Sequence, residues 1–328
     1  MLELWSERLT TWSIRVDFAV ILLIFSELLV WQTPTEFTAL EWIGIALVYL
    51  ALAAVLLDLI ARFNANDLFS LMVVAGVYGL LDGTLISRIT THDLPLSLVV
   101  RPFAVQPLVF LLALGAFHIL TSQRRMALFV PLVAAGVGLL WGIWLRWFPE
   151  VTDEALTIPE IGPAIGTLAI GLVACLVIRY WPQTAGILHH TDWLLTPIES
   201  ALVGMVLLGA LMAGVSQDAL SGGGIGVVAT LLAYLLLLLF FTQSMRRGPS
   251  FLEPLTPPRR PDPVTWLVLI VPLLVMGWVG YNLPGSDDRS IQSDILFGAL
   301  TAYGVVWLPG ISTVMGIRAF VQLAREGT

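Results

Sequence analysis

Residues 68–87 read LFSLMVVAGVYGLLDGTLIS, a stretch in which Asp82 is the only charged side chain. A run of about 20 predominantly apolar residues in helix spans the hydrocarbon core of a bilayer. Ala75, Gly79 and Gly83 recur at four-residue spacing and form a small-residue face on which another helix can approach closely. Asp82 stands beside that face, and Tyr78 lies one turn away, close enough to hydrogen-bond it. A charge at that depth costs at least about 2.5 kcal/mol on insertion scales, so it is retained for a function or for a compensating partner.

Outward from this stretch, the same window finds nine further runs: Ile14 to Trp31, Leu40 to Ala61, Leu98 to Leu120, Met126 to Trp147, Ile161 to Tyr180, Trp193 to Val215, Ile225 to Thr242, Val264 to Tyr281 and Ile295 to Val321. Backbone amides in lipid have no water to bond, so each run is expected to be helical. The fold expected is all-α: a polytopic membrane bundle of about ten transmembrane helices, one domain over residues 1–328. Connections are short, apart from the Pro- and Arg-rich linker 244–263 between the eighth and ninth helices.

Composition agrees. The chain is 58% hydrophobic and 12% charged, with a mean hydropathy of +0.90, whereas about a quarter of residues carry charge in a soluble globular domain. A soluble fold is excluded, and a net charge of −7 argues against nucleic acid as a partner. Cys175 is the single cysteine, so neither an intrachain disulfide nor a thiolate metal cluster can form. The N-terminus has acidic residues beside Arg8 and no small-residue cleavage site, which reads as no cleaved signal peptide.

Orientation follows from the arginines, which replace lysine throughout. Arg8, Arg15, Arg62, Arg124, Arg125, Arg179, the linker's Arg246, Arg247, Arg259 and Arg260, and then Arg318 and Arg325 fall on one side; Arg88, Arg101, Arg146 and Arg289 fall on the other. This bias predicts that both termini are cytoplasmic. The opposite face is acidic, with Glu150, Asp153, Glu154 and Glu160 in one loop. Tryptophans fall at the run ends as interfacial belts do: Trp31, Trp42, Trp144, Trp147 and Trp278 outside, Trp12, Trp181, Trp193 and Trp266 inside. The expected location is the inner membrane of a prokaryote.

Ionisable groups within the runs form two layers. Glu27, Asp82 and Arg101 would lie roughly 6 to 8 Å inside the outer boundary at ~1.5 Å rise per residue. Asp17, Asp58, His118 and Glu199 form an inner layer near the cytoplasmic arginines. Arg101-Pro102 and Gln106-Pro107 place two prolines five residues apart, and proline frees a carbonyl that membrane protein must satisfy otherwise. A kinked helix presenting Arg101 and Gln106 to the Asp82 face would make a polar pocket. The candidate substrate or proton pathway is therefore Glu27, Tyr78, Asp82, Arg101 and Gln106, with Arg101 paired to Asp82 or Glu27. The alternative is a mechanically kinked helix with a structural ion pair.

Pro309-Gly310 is expected to split the last run into two half-helices facing mid-depth. Glu41-Trp42 and Asp192-Trp193 open the second and seventh runs alike, a faint echo of an inverted repeat. His189-His190 with Asp192 reads as a solvated loop, and Gly222-Gly223-Gly224 as a flexible turn. No paired-glutamate, Gly-x-Ser-x-Gly, Gly-x-Gly-Asp or His-Glu-x-x-His motif of an intramembrane protease occurs, and no cofactor or metal is implied. The leading reading is a transporter or permease-like protein for a small solute, with a proton-linked carboxylate. A non-catalytic scaffold within a larger complex or homo-oligomer comes second, on the small-residue faces Gly162/Gly166 and Ser200/Gly204. A membrane-embedded enzyme acting on lipid comes third.

Overall fold

The computed structural model describes residues 2–31, 38–88, 90–91, 94–121, 129–147, 150–151, 156–157, 160–180, 190–243, 250–253, 263–283 and 289–326. Helices occupy all the apolar runs. Helix α1 (Leu2–Leu23) passes into a π-helical segment, Ile24–Trp31, followed by α2 (Ala39–Arg62) and α3 (Leu68–Leu85). Next come α4 (Leu96–Val100), a π-helical turn Arg101–Val105 and α5 (Gln106–Thr121). The remainder are α6 (Phe129–Trp147), α7 (Ile161–Tyr180), α8 (Pro197–Ser216), α9 (Gly222–Gln243), α10 (Pro263–Tyr281) and α11 (Arg289–Glu326). Among the described residues the only extended pairing is β1 (Glu150–Val151) against β2 (Leu156–Thr157), antiparallel. Ala39–Arg62, Leu68–Leu85, Leu96–Leu120, Thr191–Ser216, Gly222–Gln243 and Gly298–Arg318 are long and apolar enough to cross a membrane, and Pro131–Arg146, Ile161–Cys175 and Trp266–Tyr281 are apolar but shorter. The chain is an all-helical membrane bundle.

Local chemistry sets the helix ends. Thr38 and Glu41 form a capping box on α2, and Thr196 and Glu199 form the same box on α8. Each satisfies backbone donors that a helix N-terminus leaves orphaned. Both helices end alike as well: Asn64 and Asp218 adopt left-handed backbone, φ 47° and 52°, and the next residue's N–H returns to Ile60 O or Gly214 O. Asn and Asp tolerate that conformation better than other residues with a Cβ.

The core is built around α3. A Cβ at Gly76 would strike the Trp307 ring, one at Gly79 the Pro102 carbonyl, and one at Gly83 the Thr90 hydroxyl. The small-residue face is thus filled by the π-helical turn and by α11, whose Trp307 stacks on Phe103 at 5.3 Å. A second close approach joins α6 to α10. Gly138 faces Leu273 O, Gly142 faces Gly277 O and Gly280 faces Leu139 O, all too close for a Cβ. Arg146 donates to Tyr281 O (3.1 Å) and covers an end carbonyl of α10.

Three expectations need correction. Pro309 does not break the last run: α11 continues through it. Only one helical bond is lost at a proline, and the hydroxyls of Ser312 and Thr313 donate to Leu308 O and Pro309 O in the adjoining turn. Gly222 to Gly224 are the first turn of α9 rather than a flexible turn. The Ser221 hydroxyl accepts from Gly224 N–H (3.1 Å) and donates to Thr91 O (2.6 Å), which fixes the helix start. Trp193 and Trp266, assigned to the inner interfacial belt, are buried in protein. The side chains of Trp31 and Trp147, Trp181, His189, Asp153, Glu154 and all of the 244–263 linker except Ser250–Glu253 and Pro263 lie outside the residues whose contacts are described.

Candidate functional site

Four elements converge on one buried polar cluster. The π-helical segment after α1 supplies Ser26 and Glu27, α2 supplies Tyr49, α3 supplies Tyr78 and Asp82, and α5 begins with Gln106. All six side chains are buried. The Tyr49 hydroxyl sits between two carboxyls, 2.6 Å from Glu27 Oε1 and 2.9 Å from Asp82 Oδ1. Gln106 Nε2 donates to Asp82 Oδ2 and also reaches Ser26 Oγ at 3.4 Å.

The π-helical geometry contributes to this convergence. Pro102 and Pro107 each lack an N–H, so α-type bonding cannot continue across them. Gln106 N–H instead reaches Arg101 O, five residues back. The wider turn rotates the facing of the next helical residues, and single π-turns recur at functional sites for that reason. The expected kink is therefore a π-turn, and it brings Gln106 onto Asp82.

Of the residues nominated by sequence, Glu27, Asp82 and Gln106 belong to one hydrogen-bonded network. Tyr78 lies beside it, its hydroxyl buried and within interaction range of Ser26, Tyr49 and Asp82. Its ring packs on Phe110 at 5.5 Å. Arg101 opens the π-turn and acts electrostatically on both Asp82 and Glu27. Tyr49 and Ser26 were missed. Tyr49 is the only side chain with a polar atom between Trp42 and Asp58, but a tyrosine carries no charge to flag it.

No protein-family model, curated protein or solved structure shows significant similarity to the chain. Function has to be argued from the chemistry of the site.

That chemistry turns on one proton. A phenol carries a single O–H, so Tyr49 donates to Glu27 or to Asp82 but not to both. With both carboxyls ionised, one of them would face a phenol lone pair. A proton on either acid resolves the conflict, because the protonated carboxyl then donates to the Tyr49 oxygen while Tyr49 donates to the other. One negative charge is left, opposite the positive charge of Arg101. The hydrogen bonding of Glu27, Tyr49 and Asp82 is satisfied when the two acids hold one proton between them.

The inner layer is different. Asp58 accepts two bonds from Arg62 (2.9 Å each) and one from Leu195 N–H (2.8 Å). Glu199, besides capping α8, accepts from Trp12 Nε1 (2.8 Å) and lies 3.6 Å from Arg15 and 3.7 Å from Arg8. Arg15 is fully buried, donates to Trp193 O (3.2 Å) and sits over the Trp12 ring at 4.7 Å. Cys175 donates to Asp17 (3.3 Å), and His118 packs on Phe251 at 4.7 Å. These groups tie α1, α2, α7 and α8 together at one end of the bundle.

Proposed function

We propose that the chain is a proton-linked transporter of a small solute in the inner membrane of a prokaryote, crossing ten times with both termini cytoplasmic. Helix directions support the traversal count. Strict alternation makes the first, fifth and ninth runs parallel, and likewise the fourth, eighth and tenth. On α6 and α10, Gly138 meets Leu273 and Gly142 meets Gly277, so the fifth and ninth run the same way. Gly304 meets Val99, and Trp307 meets Phe103, which aligns the fourth and tenth. Phe18 packs on Phe117 at 4.9 Å while Ser26 meets Gln106, which opposes the first to the fourth. The twelve-to-four arginine bias then orients the bundle.

The observation that carries the transport reading is the shared Tyr49 hydroxyl between Glu27 and Asp82. Buried carboxyls in membrane helices are expensive and mark proton relays. Here Asp82 is the acid that loads and unloads, Glu27 its partner, Tyr49 the bridge, and Arg101 the counter-charge. Gln106 Oε1, an acceptor without an aligned partner among the described residues, can engage a polar solute group.

The test uses the purified protein in vesicles with a pH-sensitive dye inside, challenged with a panel of small solutes. Solute-dependent proton flux in the wild type that Asp82→Asn abolishes, at unchanged folded yield, is the expected result. Absence of flux together with stoichiometric co-purifying chains would favour the scaffold reading, which the open faces at Gly162, Gly166 and Gly204 would then serve.

A further inference from the structure

A second feature lies on the opposite side of the π-helical segment Ile24–Trp31. While Ser26 and Glu27 point into the polar cluster, Ile24, Phe25 and Leu29 line an apolar cavity of ≈ 180 Å³ shared by α1, α5, α6, α7 and α10. The cavity is elongated along the helices. Its lining runs from Ile21 to Leu29 on the first run, from Leu111 to Leu120 on α5 and from Trp266 to Leu273 on α10. Seven residues of α10 and nine of α5 span it, so the slot is about 10 to 13 Å long at ~1.5 Å per residue.

Its wall and its mouth differ. Trp266 and Leu273 on the inside are 2% and 5% exposed, whereas Leu112 and Val133 at the rim are 50% and 51% exposed. The slot therefore opens sideways between α5 and α6, on a surface that faces hydrocarbon in a membrane. An apolar cavity does not retain water. Two lining residues carry polar atoms, but the indole N–H of Trp266 has no accessible surface and the Cys175 thiol is engaged with Asp17 at 3.3 Å, so the surface the slot presents is apolar.

We propose that this slot binds a single acyl chain, entering between α5 and α6. The length of the lining calls for a chain, its apolar surface excludes a polar occupant, and a mouth on the hydrocarbon side is where acyl chains are supplied. The binding itself does not depend on proton-linked transport. It does place the occupant one helix wall away from Glu27.

Gly115 provides the test, because it lines the slot and a Cβ there meets nothing within 4 Å. Gly115→Leu starts from that open Cβ position and places a side chain in the slot. Gly136→Leu, equally open on the exposed face of α6 and outside the lining, is the control. Bromine on a lipid chain quenches an indole it touches, so Trp266 emission, taken as wild type minus Trp266→Phe, reports occupancy. One arm uses vesicles with increasing fractions of phosphatidylcholine brominated in mid-chain. The other adds a brominated free fatty acid to unbrominated phosphatidylcholine vesicles.

Saturable quenching is expected in at least one arm, with half-saturation raised roughly tenfold or more, equivalent to about 1.4 kcal/mol, by Gly115→Leu and unchanged by Gly136→Leu. Saturation with phosphatidylcholine alone identifies a bilayer lipid as the source, and saturation with the fatty acid identifies a free solute. Quenching that rises linearly with brominated fraction, or that Gly115→Leu leaves unaltered, overturns the proposal. No step of this assay involves proton movement, so its failure and a failure of the Asp82→Asn flux test are separate outcomes.

Discussion

Tyr49→Phe isolates the bridge on which the carboxyl cluster depends. The substitution keeps the ring and removes one oxygen from a side chain with no exposed surface, so no cavity of consequence is created. What is lost is a hydrogen bond to a charged partner, worth about 1.5 to 3 kcal/mol. Glu27 Oε1 and Asp82 Oδ1 then face each other without the atom that separated them. The expected loss is about 2 to 3 kcal/mol for the single variant. Asp82→Asn keeps an oxygen that accepts from Tyr49 or from Gln106, so its own cost is smaller. In the double variant no hydroxyl at position 49 is left to bond position 82, and the two losses should overlap by roughly 1 kcal/mol or more, within the range for residues in one network. Equilibrium unfolding of the three variants and the wild type in mixed micelles gives the cycle. Losses that add within about 0.5 kcal/mol would show that Tyr49 and Asp82 do not act as a unit, and the proton-holding arrangement would be refuted with them.

Glu199→Gln leaves the fully buried Arg15 without its carboxylate and should destabilise by about 3 to 5 kcal/mol, part of which the double change with Arg15→Gln recovers; additive losses by the same unfolding assay would contradict the pairing. Gly142→Leu drives a side chain into Gly277 O of α10, where backbone cannot yield, and should cost about 1 to 3 kcal/mol or more in unfolding. The same replacement at Gly136 should be close to neutral. In a Cys175→Ala background, Asp153→Cys should react with an impermeant maleimide on intact cells and Glu253→Cys, at an exposed position of the linker, should not, and the reverse pattern would invert the orientation.

The amino-acid sequence by itself determined the helices, because lipid leaves a backbone no other bonded state and the apolar runs reappear as helices with ends shifted by a few residues. It also singled out Glu27, Asp82, Arg101 and Gln106, since charge or paired prolines inside such runs stand out against their surroundings. Only the tertiary structure decided which of them meet. Tyr49 comes from α2, contributes no charge, and becomes central solely because α1, α2, α3 and α5 cross at its depth. The inner layer shows the converse: Asp58 and Glu199 are as charged as Asp82, yet crossing helices give them Arg62, Arg15 and Trp12 and make them structural ties. Pro309 carries the same lesson, because a proline removes one helical bond and whether the helix bends or continues depends on its packing. Hydropathy acts along the chain and is legible there, whereas pairing depends on helix rotation and crossing, which hundreds of weak side-chain contacts settle together.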